Sequence, residues 1–270
     1  MSYTCGEIIR HIDGFAPPRL ALEGDPIGLH LGETGQPARR LFLALELTAA
    51  VLEEILDFQA DMVFVHHTPF FRPQKQLRDD WDHDRLILAL IRRQTALYTA
   101  HTNLDCVRGG VNDVLAALIG IENSEILEPV NQNIREAGLG RIGALRAPLT
   151  LAAFAGEVGA KLGHPCPRYC GDGEKIVRQA ACCGGSGAFL IGEAKARGAD
   201  VYVTADVRHH EATQALELGL GVIDAGHFAT ENPVIPVLAR YLAEHLPELE
   251  IKVSAINAEP FIYQKRGGEK

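Results

Sequence analysis

The chain has 270 residues, 47% of them hydrophobic, and a formal net charge of −9. That length accommodates one large domain or two modest ones, with ample apolar content for a core. The acidic balance, with no run of Lys or Arg longer than two, argues against a nucleic-acid groove, which needs a basic face. No apolar stretch approaches the roughly 18 residues of a membrane span, and the opening residues Met1–Glu7 lack the basic and apolar regions of a secretory signal.

In chain order, apolar runs alternate with amphipathic segments. Leu41–Leu45 reads as a strand, and Thr48 is placed to cap a helix reaching Phe58 with Leu52, Ile55 and Leu56 on one face. Met62–Val65 is a second strand. A helix from about Asp82 to Gln94, a strand from Ala96 to His101 and a helix from Val111 to Ile119 follow. Glu122–Gly143 is polar, contains glycine and shows little periodicity, which marks it as a lobe boundary. Thr150 then caps a helix through Leu162, closed by Gly163 and Pro165. Beyond it come a strand over Ile176–Cys183, a glycine turn, a helix from Ala188 to Arg197, and a strand over Val201–Thr204. A helix over Val207–Leu218, a strand over Gly221–Ala225, a final helix begun by Pro233 and an alternating strand over Ile251–Ile256 complete the series. Gln264–Lys270 is a polar tail. This rhythm predicts an α/β layered architecture. The expected lobes are residues 1–125 with 226–270, and 126–225.

Three strand exits carry side chains of the metal-ligating type: His66-His67, the run His101-Thr102-Asn103-Leu104-Asp105, and the run from Asp224 to Glu231 that includes His227. Successive side chains of a strand point to opposite faces, so His66 and His67 share one ion only if the backbone turns there, as Pro69 suggests; otherwise each serves its own. His227 and Glu231, spaced i, i+4, project from one face if that stretch is helical. His66, His67, Asp105, His227 and Glu231 are too many for one catalytic zinc, which keeps about three protein ligands and an open position. They suit two divalent ions, whose positive charge exceeds what Asp105 and Glu231 neutralise and leaves room for hydroxide or an anionic substrate. The donor set does not discriminate Zn, Fe, Mn or Co.

Other motifs are less pointed. Gly184-Gly185-Ser186-Gly187, between a strand and a helix, reads either as a tight turn or as an anion nest, without the Lys-Ser/Thr of a P-loop. His209 and His210 open a helix after Asp206, as exposed polar residues or as proton-transfer groups. His30 reads as structural. No G-x-S-x-G elbow is present, which argues against a serine hydrolase. The six cysteines form no C-x-x-C pair, consistent with reduced thiols in a cytoplasmic protein.

Seven ordered blocks resemble the Nif-three-like dinuclear metal centre proteins, also labelled type 2 GTP-cyclohydrolase-1-like. They are Asp25–Gly32, His66–Phe71, Ala100–Asp105 with Gly109–Asp113, Gly138–Gly143, Gly184–Gly187, Gly198–Thr204 and Asp224–Glu231. The family's metal positions fall on the same five residues, His66, His67, Asp105, His227 and Glu231. Pro26 replaces the family's usual Asn, Glu46 stands where many members have Asp, and Thr68 intervenes where Pro commonly follows the histidine pair. The chain is too short for the ferredoxin-like insert of longer members. The resemblance implies two interlinked α/β lobes with mixed sheets flanked by helices, a toroidal homohexamer and metal sites facing an internal cavity. It points to a metal-dependent hydrolase of a small anionic, nucleotide-like substrate, with His101 orienting a ligand, His209 and Asp206 available for proton transfer, and the glycine loop accepting a phosphate. A metal-handling insertase or chaperone and a hexameric scaffold without turnover are the competing readings.

Overall fold

A computed structural model describes residues 3–131 and 133–263. The polar tail Gln264–Lys270 and the first two residues lie outside the described residues. The chain forms two compact units and passes between them more than once. One comprises the residues up to Val107 with Val234–Ala258, the other Arg108–Pro233 with the residues from Glu259 onward.

The first unit is built on a five-stranded sheet in the order Glu250–Val253, Arg40–Ala44, Met62–Val65, Ala96–Thr99, Gly28–Leu31. The first four strands run parallel, and Gly28–Leu31 closes the edge antiparallel. Parallel strands covered on both faces read as continuous apolar runs, and Met62–Val65 and Ala96–Thr99 are buried at every position. Phe42, Val51, Ile55, Val63, Val65, Leu90 and Leu97 form one core cluster; full burial of each such side chain is worth about 1.5–3 kcal/mol. Thr48 caps the helix Ala49–Phe58 by accepting from the Val51 N–H, as its spacing predicts.

The sequence reading did not identify the helix Cys5–Phe15. Thr4 and Glu7 cap it reciprocally, the Thr4 side chain accepting from the Glu7 N–H and the Glu7 carboxylate accepting from the Thr4 N–H. Thr-x-x-Glu before an apolar run is the signal that was available.

The second unit carries a six-stranded mixed sheet in the order Ile121–Asn131, Ile134–Thr150, Ile176–Cys182, Val201–Thr204, Gly221–Asp224, Arg168–Cys170. The three strands from Ile176 to Asp224 run parallel, and their neighbours on both sides are antiparallel. The segment expected to be a lobe boundary, Glu122–Gly143, lies instead within a long antiparallel hairpin. Its glycines hid the strands by composition and serve them by geometry. A Cβ at Gly143 would sit 2.5 Å from the Glu122 carbonyl, and one at Gly138 would overlap that of Glu128. Glycine in a strand marks such close backbone approach.

The division therefore differs from the expected one. Helix Val111–Ile119 packs on both hairpin strands and on helices Leu151–Leu162 and His227–Glu231. Its Leu115, Ala116 and Ile119 enter the second core with Phe154, Val158, Val201 and Ile223. As a result His66, His67, His101 and Asp105 belong to the first unit, and His227 and Glu231 to the second, rather than all to one lobe. No helix among the described residues is long and apolar enough to cross a membrane.

Candidate metal centre

In the first unit, the buried strand Met62–Val65 delivers the histidine pair. The ladder ends at the pair itself: the N–H groups of both His66 and His67 donate to the Leu45 carbonyl, at 2.9 and 2.8 Å. The backbone turns there, and both imidazoles lie on one side, with ring centroids 5.1 Å apart. His101, at the exit of the neighbouring parallel strand, completes a trio at 5.1 Å from His66 and 5.9 Å from His67. One nitrogen from each ring lies within 4.8 Å of the others, a grouping able to hold a metal ion.

Each ring's orientation has a cause. His66 is fully buried, and its Nδ1 lies 2.9 Å from the Ala100 carbonyl. A carbonyl only accepts, so Nδ1 carries the proton and Nε2 is the basic nitrogen. That Nε2 lies 3.5 Å from Asp105 Oδ1, on the short helix Thr102–Cys106. His101 Nδ1 is 2.8 Å from Asp25 Oδ1, and the second Asp25 oxygen accepts from the Thr102 N–H and hydroxyl. Burial by itself would raise the Asp25 carboxyl, but the hydrogen bonds from His101 and Thr102 outweigh it and hold it below its ordinary value. Asp25 received no site role from the sequence. Its signal was a carboxylate in the Asp25–Gly32 block, and nothing local shows that its partner lies 76 residues away.

The next residues buttress this corner. The Thr68 hydroxyl lies 3.1 Å from His30 Nε2 and accepts from the Phe70 N–H, and the His30 ring packs 5.4 Å from that of Phe70. His30 thus contacts the two residues Thr68 and Phe70 that follow the histidine pair.

In the second unit, strand Gly221–Asp224 leads through Gly226, at φ +82°, into the helical turn His227–Glu231. The i, i+4 spacing brings His227 Nε2 to 3.0 Å from Glu231 Oε2. On the other side of the ring, Nδ1 is 2.7 Å from Asp206 Oδ2. Burial disfavours the imidazolium, but the hydrogen bonds and charges of Glu231 and Asp206 prevail and raise the His227 pKa to about 10. A metal ion held at Nε2 would have to take the place of the proton that this nitrogen shares with Glu231. Asp206, expected to be available for proton transfer, is here the residue that orients His227.

The glycine loop packs directly against this second group. A Cβ on Gly185, at φ +60°, would overlap Glu231 Oε1 and lie 3.0 Å from His227 Nε2. The loop's N–H groups point inward: Gly184 donates to Asn112 Oδ1, Gly185 to Thr230 Oγ1, and Gly187 to Thr204 Oγ1, each at 3.0 Å. Three of the four donors that an anion nest would need are thus engaged within the protein. His209 is exposed and joins none of the metal-capable groups among the described residues.

The residues fit a divalent cation. The donors are imidazole and carboxylate, the ligand types of first-row metals. Each candidate histidine with a resolved Nδ1 partner offers Nε2, and the backbone at Gly185 leaves room beside Glu231 that any larger residue would fill.

Residues 3–260 match the Duf34/NIF3 (NGG1p interacting factor 3) family. A protein of Clostridium acetobutylicum named GTP cyclohydrolase 1 type 2 homolog is 32% identical over 268 residues, covering 98% of this chain and 100% of that protein. A protein of the same name from Clostridium perfringens is 33% identical, covering 94% and 97%. Among solved structures, a Bacillus cereus protein related to NIF3 superposes with a TM-score of 0.91 at 27% identity, covering 98% of this chain and all of that one. Reduced HcgD from Methanocaldococcus jannaschii does so with a TM-score of 0.79 at 31% identity, covering 95% and 99%. The chain belongs to the Duf34/NIF3 family.

Proposed function

We propose that this protein is a dinuclear metal-dependent hydrolase acting on a small anionic, nucleotide-like substrate, with His66, His67, Asp105, His227 and Glu231 holding the two ions. The observation that carries this reading is common to His66, His101 and His227. Each has Nδ1 against an oxygen, from Ala100, Asp25 and Asp206 respectively, and so presents Nε2. A histidine held through one nitrogen for ligation through the other is the usual arrangement at a metal site. His101 sits within the imidazole trio and would add a sixth donor to these five, in place of the orienting role expected of it. Divalent ions bound here would polarise the scissile centre and make water a nucleophile near neutral pH.

The relatives' name, GTP cyclohydrolase 1 type 2 homolog, supports a guanine nucleotide as the first substrate to assay. The reading extends to a homohexamer working in the cytoplasm.

Metal analysis of protein purified without a histidine tag, coupled to GTP turnover followed by mass spectrometry, tests the proposal. About two equivalents of metal per chain and turnover lost in Glu231→Gln are expected. Less than about one equivalent in the wild type, unchanged by His67→Ala, would remove it.

A further inference from the structure

A second feature of the same sheet edge has no part in metal binding. Strands Val201–Thr204 and Gly221–Asp224 end side by side. Towards their carboxyl ends, alongside Val222 and Asp224, a cleft of about 240 Å³ opens between the edge strand Arg168–Cys170 and the helix His209–Glu217. Its walls are apolar, with Val207 and Val222 among them, and Arg168, Arg208 and His209 also line it. Open α/β sheets bind ligands at this edge. The two strands that lead to the cleft also lead to Asp206 and His227.

The cationic side of this cleft is braced. Arg168 donates from Nε and Nη2 to Asp224 Oδ2, at 3.0 and 2.7 Å, and from Nη2 to the Val207 carbonyl at 2.7 Å. Asp224 is the only carboxylate among the described lining residues. It also accepts from the N–H groups of Val207 and Gly226, so four donors offset its charge. The guanidinium is thereby fixed before any ligand arrives, which lowers the entropic cost of binding. Arg208 adds a second positive charge and His209 a neutral or cationic imidazole. Two guanidinium groups beside apolar walls suit a phosphate attached to an organic body, because guanidinium matches phosphate oxygens in charge and geometry.

We propose that this cleft is a phosphate-binding site, distinct from the metal ligands, that takes the phosphate group of a phosphorylated small molecule or free phosphate itself. It takes over the role first assigned to the Gly184–Gly187 loop, whose N–H groups are largely engaged within the protein. It also gives His209 a place. That the bound phosphate belongs to the molecule hydrolysed at the metal centre rests on the function proposed above; the binding itself does not.

Calorimetric titration of the full chain with guanosine monophosphate, guanosine and inorganic phosphate, with metal content measured in the same samples, provides the test. Arg208→Glu is expected to weaken guanosine monophosphate binding about tenfold or more, the loss of a charge-assisted contact, with metal content and Tm unchanged. Arg168→Lys should weaken it too, since a single ammonium cannot bridge Asp224 and the Val207 carbonyl as the guanidinium does and still reach a phosphate. Inorganic phosphate should compete, and affinity should fall as salt rises from about 50 to about 300 mM. If inorganic phosphate binds and guanosine monophosphate does not, the recognised species is free phosphate and the site stands. Wild-type affinity for both phosphate ligands in Arg208→Glu and Arg168→Lys would overturn the site. So would loss of binding in His67→Ala alone, which would place the anion on the metal and leave the hydrolase reading intact. A wild type without metal that still binds phosphate would fail the hydrolase reading and keep this site.

Discussion

Gly185 shows how tightly single residues constrain this site. Its φ of +60° strains any L side chain, and the first carbon of one would overlap the Glu231 carboxylate. Gly185→Ala should therefore displace Glu231 and sharply reduce any metal uptake at His227 and Glu231, read as bound metal after dialysis. Full metal content in that variant would show that Glu231 is not a ligand. Asp25 and Asp206 act one step further out, each fixing the Nδ1 side of a histidine. Asp25→Asn and Asp206→Asn should each lower metal affinity about 10–100-fold, the usual cost of losing such a partner, measured by competition with a chromogenic chelator. An unchanged affinity would mean that the ring orientations are held by packing alone.

At the scale of elements, the ion pair between half-buried Asp113 and buried Arg141 ties helix Val111–Ile119 to the long hairpin. Arg141 is fully buried, donates to Asp113 and to the carbonyls of Gly138 and Gly140, and carries its partner on the helix. Asp113→Ala removes the carboxylate partner of a buried guanidinium and should destabilise the protein by up to about 3–5 kcal/mol, seen as a lower midpoint in urea. Burial tends to raise the Asp113 carboxyl, but hydrogen bonding and charge from Arg141 hold it below its ordinary value. A depressed carboxyl contributes stability above the unfolded-state pKa, and that contribution is lost as pH falls through the folded value. Stability of the wild type should therefore drop in acid more steeply than that of Asp113→Ala. Equal slopes below about pH 4 would show that the pair does not govern acid unfolding. Elements with local signals were legible in the sequence. Thr48 and Thr150 cap their helices, and the apolar run Met62–Val65 is a buried strand. The hairpin was not legible, because Gly138, Gly140 and Gly143 serve contacts with another strand, and nothing local distinguishes such glycines from those of a loop.

For the molecule as a whole, bound metal should raise stability by mass action. Free divalent ion at about 100 times its dissociation constant adds about 2.7 kcal/mol, a gain that a chelator removes and that His67→Ala should not show; Tm with and without metal measures it. A Tm indifferent to metal in the wild type would count against ions held by the native fold. The sequence by itself determined the α/β alternation, the residue types at three strand exits and the turn positions, because these depend on periodicity and on side chains a few residues apart. Only the tertiary structure decided which oxygen holds each histidine, since Ala100, Asp25 and Asp206 lie 34, 76 and 21 residues from their partners. It also decided which unit carries each candidate residue, and that the Gly184, Gly185 and Gly187 donors are spent on Asn112, Thr230 and Thr204. Those choices follow from which strands lie side by side in a sheet, a property of the folded chain that no short stretch of residues encodes.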